Sequence, residues 1–146
     1  MVFQSRNLSI ALTYAGAIPF WAFVLVPGTV AGVSTAYLFA TYGAIIASFM
    51  AGTLWGQLRG AASDLAVLAA SNLIALMSFA TLMLSQPVLS IAVQMPLFWL
   101  LLAADYRICS SDDKRLWYLR LRFRVTLVVS LAYGVMLLGM NAHAPA

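Results

Sequence analysis

Hydrophobic residues are gathered into five long segments, separated by short links that are rich in polar, glycine and proline residues. A helix that crosses a bilayer needs about 20 mostly apolar residues, with a range of about 17 to 25. The pattern therefore predicts an all-α integral membrane protein with five transmembrane helices, folded as a single bundle over residues 1–146. The predicted helices are Leu8–Val26, Ala36–Trp55, Leu65–Leu84, Val88–Ala104 and Val125–Met140.

The composition supports a membrane location. Of the 146 residues, 64% are hydrophobic and 8% are charged, whereas soluble domains carry about 25% charged residues. Five spans leave no room for a separate soluble domain. The formal charge of +4 does not indicate nucleic-acid binding, because most of the cations crowd one link beside the membrane, where anionic lipid headgroups are the nearest partners.

The positions of the cations predict the orientation of the bundle. Arg6 precedes the first segment and Arg59 lies between the second and third, while the other six Lys and Arg residues lie between the fourth and fifth. Short loops that carry Lys and Arg stay on the cytoplasmic side. We therefore expect a cytoplasmic N-terminus and a periplasmic C-terminus.

The first segment predicts a retained helix with a kink. It is longer than the apolar core of a signal peptide, which is about 7–15 residues. Pro19 removes a backbone hydrogen bond and clashes with the preceding turn, so we expect the kink near Ala15–Pro19. No Arg-rich and Ser-rich presequence precedes it, which favours a multi-pass protein of the bacterial inner membrane.

The second segment carries small residues at spacings of three and four, which places them on one helix face. In lipid, small residues let helix backbones approach closely, and Gly52 and Gly56 match the GxxxG pattern. We expect this helix to lie at the centre of the bundle; whether the small face packs inside one chain or against another subunit stays open. The predicted packing residues are Gly43, Ala44, Ala47, Ser48, Gly52 and Gly56.

Two amides lie inside predicted spans. Asn72 and Gln94 need hydrogen-bond partners in hydrocarbon, so both are expected to face inward. At 1.5 Å per residue, Asn72 lies roughly 12 Å from the cytoplasmic interface and Gln94 roughly 10 Å from the outer one. Each is expected to join helices or to contact a ligand, without touching the other.

Residues 105–124 form the only polar region of any size and are predicted to be a basic interfacial loop. Aromatic side chains prefer the headgroup level and arginines reach toward phosphates, so this loop should lead into a last helix of only 16 residues. Its candidate headgroup contacts are Trp117, Tyr118, Arg120, Arg122 and Arg124.

The sequence offers little catalytic chemistry. Cys109 is the only cysteine and His143 the only histidine, so one chain cannot assemble a His/Cys metal site. No charged residue falls within a predicted span, although Asp105 and Arg107 stand close together at a helix end. We therefore predict no catalytic residue, no metal and no cofactor, and a protein that is not an enzyme.

Three motifs resemble a known family. They are Tyr14–Phe20 with its Gly-x-Ile-Pro-Phe, Tyr42–Gly56 with its Tyr-Gly, Ser-Phe and Trp-Gly, and Trp117–Arg122 followed by Thr126. Their order is similar to that in the small multi-pass membrane protein family of unknown function that includes mitochondrial transmembrane protein sixty-nine. Ala51-Gly52 replaces the usual glycine pair. The resemblance implies a bacterial counterpart of a mitochondrial inner-membrane protein, and no reaction.

These features favour a non-enzymatic protein that acts through helix–helix contacts with other membrane subunits, as an accessory or assembly subunit. One alternative is a lipid- or quinone-binding membrane protein, and another is a small-solute transporter or channel. A lipid- or quinone-binding protein would need an amphipathic cleft. Its candidate residues are Asn72, Gln94 and the cytoplasmic arginines, together with Tyr42, Ser48, Phe49 and Trp55.

Overall fold

A computed structural model describes residues 2–26, 28–58, 65–84, 86–109 and 116–142. These residues form six helices and one short hairpin. The helices are α1 (Val2–Ala15), α2 (Ile18–Leu25), α3 (Thr35–Leu58), α4 (Leu65–Thr81), α5 (Pro87–Cys109) and α6 (Leu116–Ala142). The hairpin pairs β1 (Thr29–Val30) with β2 (Val33–Ser34) in antiparallel register.

Four stretches of the described chain are long and apolar enough to cross a membrane. They are Asn7–Leu25, Thr35–Gly56, Pro87–Cys109 and Leu116–Met140. Helix α4 is equally apolar but has 17 residues, which is about 26 Å of helix against a hydrocarbon core of about 30 Å. The third predicted span, Leu65–Leu84, is thus present as a helix at the lower limit of spanning length.

The first apolar segment is broken where the kink was predicted. Helix α1 ends at Ala15 and α2 begins at Ile18, with Pro19 in its first turn. The backbone N–H of Ala17 donates to the Tyr14 carbonyl at 2.9 Å, a three-residue spacing that closes α1. Proline is tolerated in a first turn because its missing N–H has no intrahelical partner there.

The link between α2 and α3 is a hairpin with a two-residue turn. Ala31 and Gly32 both have positive φ, at 50° and 81°, as a type I′ turn requires. The Thr35 backbone N–H and hydroxyl both donate to the Gly28 carbonyl, at 3.0 and 3.2 Å. These bonds fasten the hairpin to the first turn of α3.

An aromatic cluster joins α2, α3, α5 and α6 at the centre of the bundle. The Phe20 ring is fully buried, and its centroid lies 5.2 Å from Phe39, 4.9 Å from Tyr42 and 5.6 Å from Tyr133. Phe98 adds a further edge-to-face contact with Tyr133. Such pairs stabilise by about 0.5–1.5 kcal/mol beyond their burial, so this cluster fixes how α2 meets the other helices.

Hydrogen bonds give the relative directions of the later helices. On α4, Ser71 bonds Trp55 near the end of α3, whereas Thr81 shares the Gln94 amide with Ala40 near its start. Helix α4 is therefore antiparallel to α3. Asp105, late in α5, pairs with Arg122 early in α6, whereas Gln94, earlier in α5, bonds Tyr133 later in α6. Helices α5 and α6 are therefore antiparallel as well.

This arrangement gathers the described charged side chains at one end of the bundle. That end holds the last turns of α3 and α5 and the first turns of α4 and α6. The charged residues there are Asp105, Arg107, Arg120, Arg122 and Arg124. The side chains of Arg6, Arg59, Asp64 and His143, and all of residues 110–115, lie outside the described part.

The prediction of a loop over residues 105–124 is wrong for its described parts. Helix α5 continues to Cys109 and α6 already begins at Leu116. Six buried positions of α6 recur every three or four residues through the basic region, so one buried helix face continues from the basic segment into the apolar one. They are Leu119, Arg122, Thr126, Val129, Tyr133 and Met136.

Candidate functional site

A neutral hydrogen-bonded cluster, here called the amide cluster, lies between α3, α4, α5 and α6. Its centre is the fully buried side chain of Gln94. The Gln94 amide nitrogen donates to the Ala40 carbonyl at 3.0 Å and to the Thr81 hydroxyl at 2.7 Å. The Gln94 amide oxygen accepts from the Tyr133 hydroxyl at 2.9 Å. One side chain thus joins four helices, and Gln94 faces inward as predicted.

Gly43 allows the amide cluster to form. A Cβ at this position would overlap the Tyr133 hydroxyl and lie 2.5 Å from the Gln94 amide oxygen. Only a glycine lets the backbone of α3 come this close. The small residue at position 43 therefore packs inside the chain.

A second buried polar cluster, the ionic cluster, joins α5 to α6. The Asp105 carboxylate is fully buried, and the Arg122 side chain is 11% exposed. The Arg122 Nε donates to Asp105 Oδ2 at 2.7 Å, and Nη2 of the same guanidinium lies 2.5 Å from that oxygen. The Tyr118 hydroxyl reaches Asp105 Oδ1 at 3.4 Å, and the guanidinium lies 5.8 Å from the Tyr118 ring centre.

The ionic cluster places inside helices two charged side chains that the sequence assigned to a loop. Asp105 lies in Pro87–Cys109 and Arg122 in Leu116–Met140, two stretches that are long and apolar enough to cross a membrane. The sequence placed Asp105 beside Arg107, and the fold adds a contact with Arg122, 17 residues away. A buried charge costs free energy unless it is paired, and α6 brings the pairing cation to the carboxylate.

An apolar groove opens beside the ionic cluster. It has a volume of about 460 Å³ and is walled by α1, α3 and α6, with Phe20 and Phe98 at its floor. Leu12, Phe49 and Val125 are typical of its apolar lining. Tyr118 and Arg122 also line it. The groove is therefore amphipathic, with a long hydrocarbon wall and a polar group within it.

The small-residue face of α3 is divided. Gly43, Ala44 and Ala47 are buried, whereas Ser48, Gly52 and Gly56 are exposed. A strict four-residue repeat advances about 40° per step on a helix of 3.6 residues per turn, so the stripe turns away from the core. Ser48, Gly52 and Gly56 therefore do not pack inside the chain, and no atom lies within 4 Å of a Cβ built on either glycine. For these three residues, packing against another subunit stays a prediction.

The other predicted contact residues are spread over the bundle. The Tyr42 hydroxyl donates to the Gly16 carbonyl at 2.9 Å, and the Trp55 indole N–H donates to the Ser71 hydroxyl at 3.1 Å. Asn72 is exposed, which overturns its predicted inward position, because Ser71 and Ile74 occupy the buried face of α4. Of the predicted contacts, the groove brings together Phe49, Tyr118 and Arg122. Trp117, Arg120 and Arg124 are exposed.

Sequence reasoning missed Asp105, Thr81 and Tyr133 as partners in these clusters. A signal for Tyr133 was present, because Arg122, Thr126, Val129 and Tyr133 follow helical spacing along one face. Thr81 gave no such signal, since its partner lies on another helix. Among the side chains that the structure describes, no three His, Cys, Asp or Glu residues lie together as metal ligands.

The fold and the two clusters define a multi-pass membrane protein built from α-helices. Within that class, the chain belongs to the family of proteins of unknown function designated DUF3429, which matches residues 5–138. No curated protein and no solved structure matches the chain.

Proposed function

We propose that this protein binds a membrane amphiphile, a lipid or a quinone, in the groove between α1, α3 and α6, and that it does so without catalysing a reaction. The observation that carries the proposal is the groove itself. Its volume of about 460 Å³ falls within the range of about 300–1,000 Å³ of ligand pockets. Its lining is apolar except for hydroxyl groups and the Arg122 guanidinium, the combination that an amphiphile needs.

Two features raise this function above helix-mediated assembly. The buried half of the small-residue face on α3 is used inside the chain, by the amide cluster and its neighbours. Phe49, in contrast, is 71% exposed and lines the groove. An aromatic ring left at the edge of a groove favours contact with a ligand tail.

Native mass spectrometry of the full chain, extracted in a mild detergent, tests this function. We expect a retained lipid or quinone on a defined fraction of the protein. The matched variants are Leu12→Trp, which fills the groove, and Leu8→Trp, which makes the same change at an exposed position of α1 outside its lining. A wild-type chain that carries no lipid or quinone would contradict the proposal.

We further propose that all five apolar segments span the bacterial inner membrane, with the N-terminus cytoplasmic and the C-terminus periplasmic. The antiparallel contacts of α3 to α6 and the gathering of the described arginines at one end support this topology. Reporter tags at the two termini should respond from opposite faces of the membrane. Tags that report from the same face would require an even number of spans.

A second candidate function, contact with other membrane subunits as an accessory or assembly protein, is favoured by the exposed half of the small-residue face. Ser48, Gly52 and Gly56 offer a surface where another helix backbone can approach closely. Gly52→Leu should then abolish co-purification of a membrane partner. Gly139→Leu is the matched control, because a Cβ there also meets no atom within 4 Å. A wild-type chain that always elutes alone would exclude this function.

A further inference from the structure

We infer that the amphiphile bound in the groove has an uncharged polar head that accepts hydrogen bonds, such as a carbonyl, and is not an anionic lipid. This inference rests on the proposed binding function and adds the chemical class of the ligand. The basic loop suggested the reverse, because arginines beside a membrane ordinarily select anionic headgroups. The contacts of Arg122 decide the question.

The cation in the groove is already neutralised. Arg122 directs two of its three guanidinium nitrogens at the fully buried carboxylate of Asp105, so the pair has no net charge. An anionic head would compete for the guanidinium and would bring a second negative charge close to Asp105. Separating a buried pair in this way is strongly unfavourable.

Arg122 nevertheless retains the capacity to donate. A guanidinium has five N–H donors, and the pairing with Asp105 uses one side of its planar fork. A carbonyl oxygen can accept a hydrogen bond from another edge without displacing the carboxylate. Tyr118 lines the groove as well, but its hydroxyl donates to Asp105 Oδ1, so Arg122 is the donor for the ligand head.

The neighbouring arginines do not add positive charge to the groove. Arg120 and Arg124 stand two residues before and after Arg122, about 200° around the helix. Both are exposed, and neither belongs to the groove lining. Arg122 is the only charged side chain among the lining residues that the structure describes. The anionic headgroups of the bilayer therefore meet the outer face of α6.

Two sources supply this ligand chemistry, an isoprenoid quinone and diacylglycerol. Each has carbonyl oxygens on an apolar tail and no charge. The full chain is reconstituted in phosphatidylcholine nanodiscs that contain equal amounts of ubiquinone, diacylglycerol and phosphatidylglycerol, and retained molecules are identified by native mass spectrometry. The first two probes distinguish the sources, and the third tests the charge.

We expect a neutral probe to be retained over phosphatidylglycerol by about tenfold or more, the scale of one hydrogen bond from a charged donor. Leu12→Trp should abolish this retention and Leu8→Trp should preserve it. Preferred retention of phosphatidylglycerol would overturn the inference and leave the binding function intact. Retention of none of the three would contradict both, and retention unaffected by Leu12→Trp would place the ligand elsewhere.

A variant that removes the negative charge of Asp105 provides a second test of the inference. Asp105→Asn leaves Arg122 as a net cation, and the preference should move toward phosphatidylglycerol by about tenfold. The measurement uses only protein that elutes as a folded species. Where this variant yields none, the wild-type competition between probes stands as the deciding result. An unchanged preference in the folded variant would show that Asp105 does not set the selectivity.

Discussion

The amide cluster and the ionic cluster both bury polar groups between α5 and α6, yet they differ in what they leave available. In the amide cluster, the Gln94 amide nitrogen and oxygen both bond partners within the chain. In the ionic cluster, Arg122 is paired with Asp105 and also lines an open groove. The first cluster is packed so closely that a Cβ at Gly43 would overlap it, whereas the second adjoins a groove of about 460 Å³.

This difference separates the structural from the functional use of buried polarity. Hydrogen bonds whose donors and acceptors all belong to the chain hold helices together, because these groups would otherwise lie unpaired in hydrocarbon. In the function proposed here, a paired ion beside a groove performs that role and also presents donors to the ligand. Burial alone, which Gln94 and Asp105 share, does not distinguish the two uses.

Breaking the ionic cluster should have the largest effect. Asp105→Asn leaves the Arg122 charge buried without its counter-ion, so the free energy of unfolding in detergent micelles should fall by about 3–5 kcal/mol. The double variant Asp105→Asn/Arg122→Gln removes both charges and should recover most of that loss. A loss below about 1 kcal/mol, the value of exposed pairs, would show that Arg122 reaches water.

Crowding the amide cluster should rank second. Gly43→Ala places a methyl group against the Tyr133 hydroxyl and the Gln94 amide, and the surrounding aromatic rings leave Tyr133 little room to move. The expected loss in the free energy of unfolding is about 1–3 kcal/mol. Gly52→Ala on the same helix is the control and should lose nothing. Equal stability of the two variants would show that α3 approaches α5 and α6 less closely.

Removing one bond of the amide cluster should have a smaller effect. Tyr133→Phe deletes the hydroxyl that donates to Gln94, and hydrogen bonds between membrane helices contribute about 0.6–1.7 kcal/mol. The control Tyr14→Phe, at an exposed position of α1, should leave the free energy of unfolding unchanged. Because Tyr133→Phe also makes room at position 43, the double variant with Gly43→Ala should cost less than the sum of the two losses. Strict additivity would contradict the shared geometry.

The smallest effect is expected at the exposed face of α6. Arg124→Gln should change the free energy of unfolding by no more than about 0.5 kcal/mol, because Arg124 is exposed. Arg122→Gln, the same change two residues earlier, should lower the free energy of unfolding several times more, because it leaves the Asp105 carboxylate buried without its counter-ion. Circular dichroism on heating compares the two variants. Similar losses would contradict the division of α6 into an outer basic face and an inner paired one.

Much of the fold could be predicted from the chain. The break before Pro19, the inward position of Gln94 and the close approach at Gly43 each follow from local chemistry. The burial of Arg122 did not follow from the apolar segments, because the basic residues near it read as an interfacial loop. Asn72 and Ser48 were misplaced for a related reason, since a shift of one residue on a helix moves a side chain by 100°.

By itself, the sequence determined that the chain is helical and apolar enough for a membrane, because these properties depend on composition and on the length of each segment. Only the tertiary structure decided that Asp105 meets Arg122, that Gln94 joins four helices, and that a groove remains beside the ion pair. Such contacts link residues far apart in the chain, and they depend on the rotation and depth at which each helix packs. No local pattern of hydrophobic and polar residues fixes those two quantities.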